Sequence, residues 1–314
     1  MTQHLSVLVQ TPAHSAVSGP LTYRSEAALP PGTLVRVPLG TRETLGVVWA
    51  SAPGANPALD SEKVRSVASV LDAIAPLGES WQQLVAFAAN YYQRSAGEVA
   101  LAALPPQLRD LTPVQLARHM KRSAKQAAGA EGSSAPASPP AELSAEQAQT
   151  VAAFHAQAGP FLLFGATGSG KTEVYLQCVA QLLASDPRAQ AMVMVPEINL
   201  TPQLEARFVA RFAPLYGPQA VVAMHSGMTP AQRLKAWLAA HAGVARTVLG
   251  TRMAVFASMP GLKLIVVDEE HDPSYKQQEG ARYSARDLAV YRARLDGAKV
   301  LLGSATPSLE SWHH

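Results

Sequence analysis

The sequence predicts an α/β protein in which a parallel sheet covered by helices follows a small β-rich domain. Three observations support this fold class. From residue 143 onward, short apolar runs alternate with helical segments, as expected for a parallel sheet that is buried on both faces. Residues 1–72 instead show short strands separated by Gly and Pro turns. Between these regions, residues 123–142 are small, polar and rich in proline.

Length and composition limit the class of protein. A chain of 314 residues with 48% hydrophobic content can form two packed domains. The formal net charge of +3 is small, so contacts with nucleic acid would come from local patches. The single cysteine, Cys178, excludes an intramolecular disulfide within this sequence and favours a cytoplasmic location. No apolar run approaches the roughly 18 to 20 residues of a membrane span, so no membrane partner is expected.

Changes in composition and in the spacing of apolar residues along the chain predict its domain boundaries. Residues 1–109 form an N-terminal unit of strands, with a helix at 79–94 where apolar residues recur at helical spacing. Residues 110–142 contain one short basic helix followed by a flexible linker, because this composition buries too little surface to offset the entropy of ordering. Residues 143–314 form the α/β domain.

A phosphate-binding loop is the strongest motif. Residues 165–172, GATGSGKT, match the Walker A pattern G-x-x-x-x-G-K-[ST] between an apolar strand and a helix. The glycines allow backbone N–H groups to surround phosphate oxygens at a helix N-terminus. Lys171 would contact the β- and γ-phosphates of ATP, and Thr172 would ligate Mg²⁺. The predicted ATP-binding residues of this loop are Gly165, Ala166, Thr167, Gly168, Ser169, Gly170, Lys171 and Thr172.

Gln147 precedes this loop and has two possible roles. Ser144 and Gln147 have the spacing of a capping box, which predicts the start of a helix. The Gln147 amide could also recognise adenine. The sequence favours neither role over the other.

An acid box follows a second apolar strand. Residues 264–271, LIVVDEEH, end in a variant of the DEAH box, and strand ends of this kind lie beside the phosphate loop in a doubly wound sheet. Asp268 is the predicted Mg²⁺-side carboxylate, and Glu269 is the predicted general base that activates water. With Lys171 and His271, these residues form the predicted catalytic set.

A polar turn, residues 303–306 (GSAT), follows a third apolar strand. Its hydroxyl groups, on Ser304 and Thr306, could bond to His271 or Glu269 and so couple the nucleotide state to the rest of the domain. The alternative is an ordinary polar turn whose hydroxyl groups are hydrogen-bonded but have no role in coupling.

Taken in order, these motifs resemble lobe 1 of the superfamily 2 helicases, and in particular the primosomal replication-restart helicases. The resemblance rests on GATGSGKTEVYL (165–176), VMVPEINLTPQ (193–203), HSGMT (225–229), GTRMAVFA (250–257), VVDEEHDPSYKQQEGARYSARDLAVYRA (266–293) and GSATPSLES (303–311). Near the N-terminus, VRVPLG and GVV (35–48) and NYY with ALP (90–105) are similar to the DNA-binding domain of that family. The likeness covers about residues 1–109 and 143–314.

The resemblance implies a RecA-like lobe of an ATP- and Mg²⁺-dependent 3′→5′ DNA helicase. Such an enzyme recognises stalled or abandoned replication forks and promotes primosome assembly and replication restart. Its implied partners are forked and single-stranded DNA, other primosome and replication-restart proteins, and the single-stranded DNA-binding protein. The alternatives are a fork-binding adaptor that does not use ATP and another superfamily 2 DNA translocase.

The family also has parts that the sequence lacks. The second lobe, with its arginine finger and zinc-binding cysteines, would follow residue 314, so zinc is expected only there. The chain by itself is therefore expected to bind nucleotide weakly and not to unwind DNA. The winged-helix domain that the family carries before lobe 1 would not fit within residues 110–142.

The resemblance also implies DNA contacts. The family senses single-stranded DNA with an aromatic-rich loop after the acid box, where Tyr275 and Tyr283 would stack on bases and positive side chains would contact phosphates. The cationic candidates of this segment are Lys276, Arg282 and Arg286. Further DNA-facing candidates at strand ends are Thr201, Gln203, Thr251 and Arg252. An ordinary solvated loop is the alternative for the segment after the acid box.

A pocket for the 3′ end of a DNA strand is implied in the N-terminal domain. Gly40 and Lys63 match positions of this pocket in the family. Where the family has a Phe-Asp pair, this sequence has Leu21 and Thr22, which weakens the expectation of 3′-end recognition.

Overall fold

The computed structural model describes residues 3–11, 19–50, 64–128 and 142–313. The chain divides into two compact units, Met1–Arg122 and Ser123–His314. In the described ranges, no helix is long and apolar enough to cross a membrane. The domain boundaries predicted at 109/110 and 142/143 stay predictions.

The first unit is built on a five-stranded antiparallel sheet. Its strands are β1 (Gln3–Val9), β2 (Leu21–Ser25), β3 (Leu34–Leu39), β4 (Arg42–Trp49) and β5 (Ser69–Val70), in the order β2-β1-β4-β3-β5. Val7, Val35 and Val37 are fully buried in its core, as expected for β-branched residues on the inner face of a sheet. The short strands predicted for residues 1–72 are therefore observed, and the last of them, β5, is only two residues long.

Helices complete the first unit. They are α1 (Glu79–Tyr91), α2 (Ala96–Ala103) and α3 (Pro113–Ala128), with a 3₁₀ turn at Pro106–Arg109. The predicted amphipathic helix is confirmed as α1, which buries Trp81, Leu84 and Val85. The basic helix α3 continues to residue 128, where a flexible linker was expected from residue 123. That part of the expectation is wrong, since alanines at 124, 127 and 128 favour a helix. Residues 129–141 lie outside the described ranges.

The second unit is a six-stranded parallel sheet covered by helices. Its strands are β6 (Phe161–Phe164), β7 (Gln190–Met194), β8 (Val221–Met224), β9 (Thr247–Gly250), β10 (Leu262–Val267) and β11 (Lys299–Ser304). Its helices are α4 (Ala145–Ala156), α5 (Lys171–Ser185), α6 (Pro202–Tyr216), α7 (Pro230–His241), α8 (Ala285–Asp296) and α9 (Leu309–His313). Short 3₁₀ turns occupy Glu197–Asn199, Arg252–Phe256 and Pro273–Tyr275.

The strand order of this sheet, β6-β11-β10-β7-β9-β8, places three motif-bearing strands side by side. The phosphate loop follows β6, the S-A-T turn ends β11 and the acid box follows β10. Because parallel strands end at the same edge of a sheet, these motifs converge there. Every residue of β7 and β9 is buried, which explains why their sequences are mostly apolar and do not alternate with polar residues.

Candidate active site

The phosphate loop joins β6 to the start of α5 at Lys171. Gly168 and Gly170 have φ angles of 83° and 82°, a left-handed backbone that glycine adopts without a steric penalty. The Gly165 N–H donates to the Ser304 carbonyl at 3.1 Å and anchors the loop to the sheet. The Lys171 ammonium donates to the Gly165 carbonyl at 2.8 Å. The loop therefore has the strand–loop–helix geometry expected of a phosphate cradle.

Gln147 connects helix α4 to this loop. Its backbone N–H donates to the Ser144 hydroxyl at 3.2 Å, and its side-chain oxygen accepts from the Ser144 N–H at 3.0 Å. Its amide nitrogen donates to the Ser169 carbonyl at 3.0 Å. The predicted capping box is therefore confirmed, whereas recognition of adenine by Gln147 stays a prediction.

Because of this contact, we expect two glycine substitutions that impose the same backbone strain to lower the free energy of unfolding by different amounts. A Cβ at Gly170 would overlap the Gln147 amide nitrogen, whereas a Cβ at Gly168 would meet nothing within 4 Å. We expect Gly170→Ala to lower the free energy of unfolding by about 1 kcal/mol more than Gly168→Ala, because the cap and the bond to Ser169 are lost. Urea denaturation measures both. In a Gln147→Ala background the difference should disappear; a difference that persists would contradict this explanation.

The acid box meets the phosphate loop at the edge of the sheet. The Asp268 N–H donates to the Met194 carbonyl at the end of β7 at 2.8 Å. Glu269 Oε1 lies 3.5 Å from Lys171 Nζ, which confirms the expected proximity of the two motifs. Glu269 has a φ of 45°, which is uncommon for a residue with a Cβ atom. Strained backbone of this kind clusters at functional sites, and here it coincides with the predicted general base.

Two tyrosines hold Asp268. The Tyr175 hydroxyl donates to Asp268 Oδ1 at 2.8 Å, and the Tyr275 hydroxyl donates to the Asp268 main-chain carbonyl at 2.6 Å. Burial raises the pKa of Asp268, and the hydrogen bond from Tyr175 and the charge of Lys171 only partly offset this. The sequence analysis missed Tyr175. The available signal was its position one helical turn after Lys171, on the same face of α5.

His271 is bonded to the S-A-T turn. Its Nδ1 lies 2.7 Å from Ser304 Oγ, and its Nε2 lies 3.2 Å from Thr306 Oγ1. The Thr306 N–H also donates to Ser304 Oγ at 3.0 Å. His271 Nδ1 is 3.8 Å from Glu269 Oε2. The predicted hydrogen bonds to His271 are therefore confirmed, and their role in coupling stays a prediction.

Glu270, which received no role from the sequence, is a buried anion with an exposed fraction of 2%. Its carboxylate accepts from the Ser308 N–H at 2.7 Å, from the Ser311 hydroxyl at 2.8 Å and from the Arg286 guanidinium at 3.2 Å. Burial alone would raise the pKa of Glu270, but these donors together lower it below its ordinary value. Glu270 thus ties the acid box to α8 and to the segment after the S-A-T turn.

The residues at this edge suit nucleotide phosphates and Mg²⁺. A Cβ at Gly165 would lie 2.8 Å from Ser169 Oγ, so the loop is too tight for a side chain at this position. Lys171 supplies a positive charge for phosphate. The Thr172 hydroxyl and the Asp268 carboxylate are oxygen ligands, the kind that Mg²⁺ prefers.

Some of the predicted DNA-binding residues are accessible. Thr201 and Gln203 are exposed at the start of α6, where the Thr201 hydroxyl accepts from the Leu204 N–H at 3.3 Å. Lys276 and Arg282 are exposed after the acid box. Their contacts with DNA stay predictions.

Other predicted DNA-binding residues are buried, and their expected roles are corrected. Tyr275 is 3% exposed and Thr251 is 4% exposed, so neither offers a surface for DNA. The Tyr275 ring is buried because its hydroxyl reaches Asp268. Tyr283 packs edge-on against Phe256, with 5.1 Å between ring centroids, and burial raises the pKa of its hydroxyl to about 12. Its face is therefore only partly available for stacking.

The arginines expected to contact phosphates are bonded within the unit. Arg252 donates to the Gln277 side-chain oxygen at 2.7 Å and to the Ser274 carbonyl at 3.3 Å. It thereby links the end of β9 to the segment after the acid box. Arg286 is paired with Glu270 at 3.2 Å and with Asp287 at 2.7 Å. A DNA phosphate at either arginine would have to compete with these partners.

The first unit contains a separate cavity of about 770 Å³. Gly40, which matches a position of the family's 3′-end pocket, lines it together with Leu21, Leu39, the arginines Arg42 and Arg109, and the acids Glu43 and Asp110. Lys63, the other matched position, lies outside the described residues. The leucines suit the base and sugar of a terminal nucleotide and the arginines suit its phosphate, while the two carboxylates offset the charge of the arginines.

Comparison with known proteins identifies relatives by sequence and a solved structure with a partial structural match. The replication restart protein PriA of Haemophilus influenzae is 34% identical over 91% of this chain and 47% of its own length. PriA of Bacillus subtilis is 48% identical over 48% of this chain and 18% of its own length. The chain thus spans less than half the length of these relatives. The crystal structure of the UvsW helicase from bacteriophage T4 aligns with a TM-score of 0.40 and 15% identity, over 59% of this chain and 60% of that one.

Two protein families match successive parts of the sequence. Residues 6–105 match the family described as the 3′ DNA-binding domain (3′BD). Residues 144–313 match the DEAD/DEAH box helicase family. The predicted fold class, a RecA-like lobe after a β-rich N-terminal domain, is confirmed. Because the second match covers more than half of the sequence, the chain belongs to the DEAD/DEAH box helicase family.

Proposed function

We propose that the chain is the ATP-binding lobe and DNA-binding domain of an ATP-dependent 3′→5′ DNA helicase. The enzyme recognises stalled or abandoned replication forks and promotes primosome assembly and replication restart. The observation that best supports this is the meeting of the phosphate loop and the acid box, where Lys171 Nζ lies 3.5 Å from Glu269 Oε1. Forked and single-stranded DNA, primosome proteins, single-stranded DNA-binding protein and a cytoplasmic location belong to the same proposal.

The candidate active site supplies the groups that ATP hydrolysis needs. Backbone N–H groups of residues 165–172 and the Lys171 ammonium bind phosphate oxygens. Thr172 and Asp268 would hold Mg²⁺, which when bound would offset the negative charge of the phosphates. Glu269 takes a proton from the attacking water.

His271 provides a route between Glu269 and the rest of the domain. It lies 3.8 Å from the Glu269 carboxylate and is bonded to Ser304 and Thr306. A movement of the S-A-T turn therefore changes the surroundings of the general base. The segment after the acid box provides a second route, because the Tyr275 hydroxyl bonds to the backbone of Asp268.

The N-terminal cavity is the proposed site for the 3′ end of a DNA strand. Leu21 and Leu39 form apolar walls for the terminal base and sugar, and Arg42 is an exposed cation at its border. The match of residues 6–105 to the 3′ DNA-binding domain supports this assignment. The two sites would together let one enzyme bind a strand end and act on the adjoining duplex.

Turnover by the full-length protein on model forks tests the proposal. We expect ATP hydrolysis and unwinding to be stimulated by a fork whose nascent leading strand ends in a free 3′ hydroxyl. Blocking that end with a 3′ phosphate should weaken fork binding about fivefold, the effect of losing one hydrogen bond of ~1 kcal/mol. Glu269→Gln should lower the hydrolysis rate by about 10²- to 10⁴-fold.

The Glu269→Gln protein also serves as the control, because its fork binding should match that of the unsubstituted protein. Hydrolysis at the full rate in this variant would contradict the role of the acid box. Equal binding of free and blocked ends would contradict the role of the cavity without affecting the proposed ATPase.

A further inference from the structure

The hydroxyl of Tyr175 joins three segments of the candidate active site. Tyr175 lies in α5 one turn after Lys171 and is 1% exposed. Its Oη donates to Asp268 Oδ1 at 2.8 Å. The same atom packs against Gly303 of β11, where an added Cβ would overlap it. The phosphate-loop helix, the acid box and the strand before the S-A-T turn therefore meet at one oxygen atom.

Main-chain hydrogen bonds fix the backbone of Asp268. The Asp268 N–H donates to the Met194 carbonyl, and its own carbonyl accepts from the Tyr275 hydroxyl at 2.6 Å. The carboxylate can rotate about two side-chain bonds, and it also accepts a hydrogen bond from the Glu269 backbone N–H. The hydrogen bond from the Tyr175 hydroxyl to Oδ1 adds a side-chain restraint on that rotation.

The partner of the Tyr175 hydroxyl distinguishes it from an ordinary core tyrosine. A buried tyrosine normally needs some acceptor for its hydroxyl. Tyr23, in the first unit, satisfies this need with the main-chain carbonyl of Pro38 at 3.0 Å. Tyr175 instead donates to the carboxylate that would hold Mg²⁺. Tyr23 is therefore a matched control for loss of one hydroxyl from a buried ring.

We propose that Tyr175 is a positioning residue for nucleotide-bound Mg²⁺, because its hydroxyl holds the Asp268 carboxylate in the orientation that binds the metal. This inference rests on the proposed nucleotide site. Outer-shell hydrogen bonds to metal ligands typically contribute 10- to 100-fold in metal affinity. A single neutral hydroxyl should fall at the lower end of that range.

The test measures how much Mg²⁺ strengthens nucleotide binding to the 314-residue chain. The probe is N-methylanthraniloyl-ADP, titrated by fluorescence in excess MgCl₂ and in EDTA, and the magnesium increment is the ratio of the two dissociation constants. Tyr175→Phe should reduce the increment about tenfold and leave the affinity in EDTA unchanged. Tyr23→Phe should change neither quantity. Thermal unfolding verifies that each variant is folded.

Gly303→Ala provides a second, independent variant. Its added methyl group displaces the Tyr175 hydroxyl without removing it, so it should also reduce the magnesium increment. Asp268→Asn should abolish the increment and defines the full effect of losing the carboxylate charge.

The outcomes separate the inference from the proposed function. If Tyr175→Phe keeps the full increment while Asp268→Asn loses it, Tyr175 is not a positioning residue. Equal losses of affinity in MgCl₂ and EDTA would show a merely structural role and would also overturn the inference. If Lys171→Ala and Asp268→Asn bind the probe as the unsubstituted chain does, the proposed nucleotide site is itself wrong.

Discussion

Replacing Lys171 with alanine is expected to weaken nucleotide binding by about a hundredfold. The ammonium bonds to the Gly165 carbonyl and lies 3.5 Å from Glu269, so it is already held over the loop that would receive the phosphates. Removing one partner of a buried charged contact costs about 3 kcal/mol, which corresponds to roughly a hundredfold in affinity. Fluorescence titration with N-methylanthraniloyl-ADP, in MgCl₂ and in EDTA, measures the effect.

The loss should appear in both conditions, because the proposed partner of Lys171 is a phosphate rather than the metal. Lys263→Ala is the matched control: this exposed lysine lies on β10, the strand that leads to the acid box, and its removal should leave binding unchanged. A Lys171→Ala affinity within threefold of the unsubstituted chain would contradict the assignment of the loop.

Replacing Glu270 with alanine is expected to lower the free energy of unfolding by about 3 kcal/mol. The substitution leaves the Arg286 guanidinium without its buried partner and removes the acceptor of the Ser308 N–H and the Ser311 hydroxyl. Unsatisfied polar groups of this kind cost more than the bond itself contributed. Urea denaturation of the chain measures the change.

Glu310→Ala is the control for this prediction, because Glu310 is an exposed acid in the same region of the second unit. Its removal should change the free energy of unfolding by less than about 0.5 kcal/mol. Similar losses for the two variants would show that the Glu270 network contributes no more than a surface charge.

Local sequence patterns predicted most of the strands and helices of the second unit. Most residues of its strands are apolar, and the Ser144 capping box specified the start of α4. The first unit was less predictable. Strand β2, LTYRS, is only five residues long, and its pairing with β1 involves residues distant in the sequence. The extension of α3 past residue 122 was hidden by the polar composition of the segment that follows.

The candidate active site likewise contains residues that the sequence predicted and residues that it did not. Motifs with a fixed structural context placed Lys171, Asp268 and Glu269 at one sheet edge, and the contacts of His271 with the S-A-T turn were expected. The buried partners were not, because Tyr175 and Tyr275 reach Asp268 through packing between distant segments. The segment after the acid box is rich in aromatic and cationic residues, so its sequence predicted a DNA-binding surface that included Tyr275. The Tyr275 ring does not contribute to such a surface, because it is buried.

The left-handed backbone at Glu269 is unfavourable for the stability of the fold, whereas the Glu269 carboxylate is needed for the proposed chemistry. Glycine would adopt this conformation without a steric penalty, but it would lack the carboxylate that we propose takes the proton. Substitutions selected only for a more stable protein would therefore be drawn to this position and would remove the function. A stabilised version of this protein should leave residue 269 unchanged and gain its stability elsewhere.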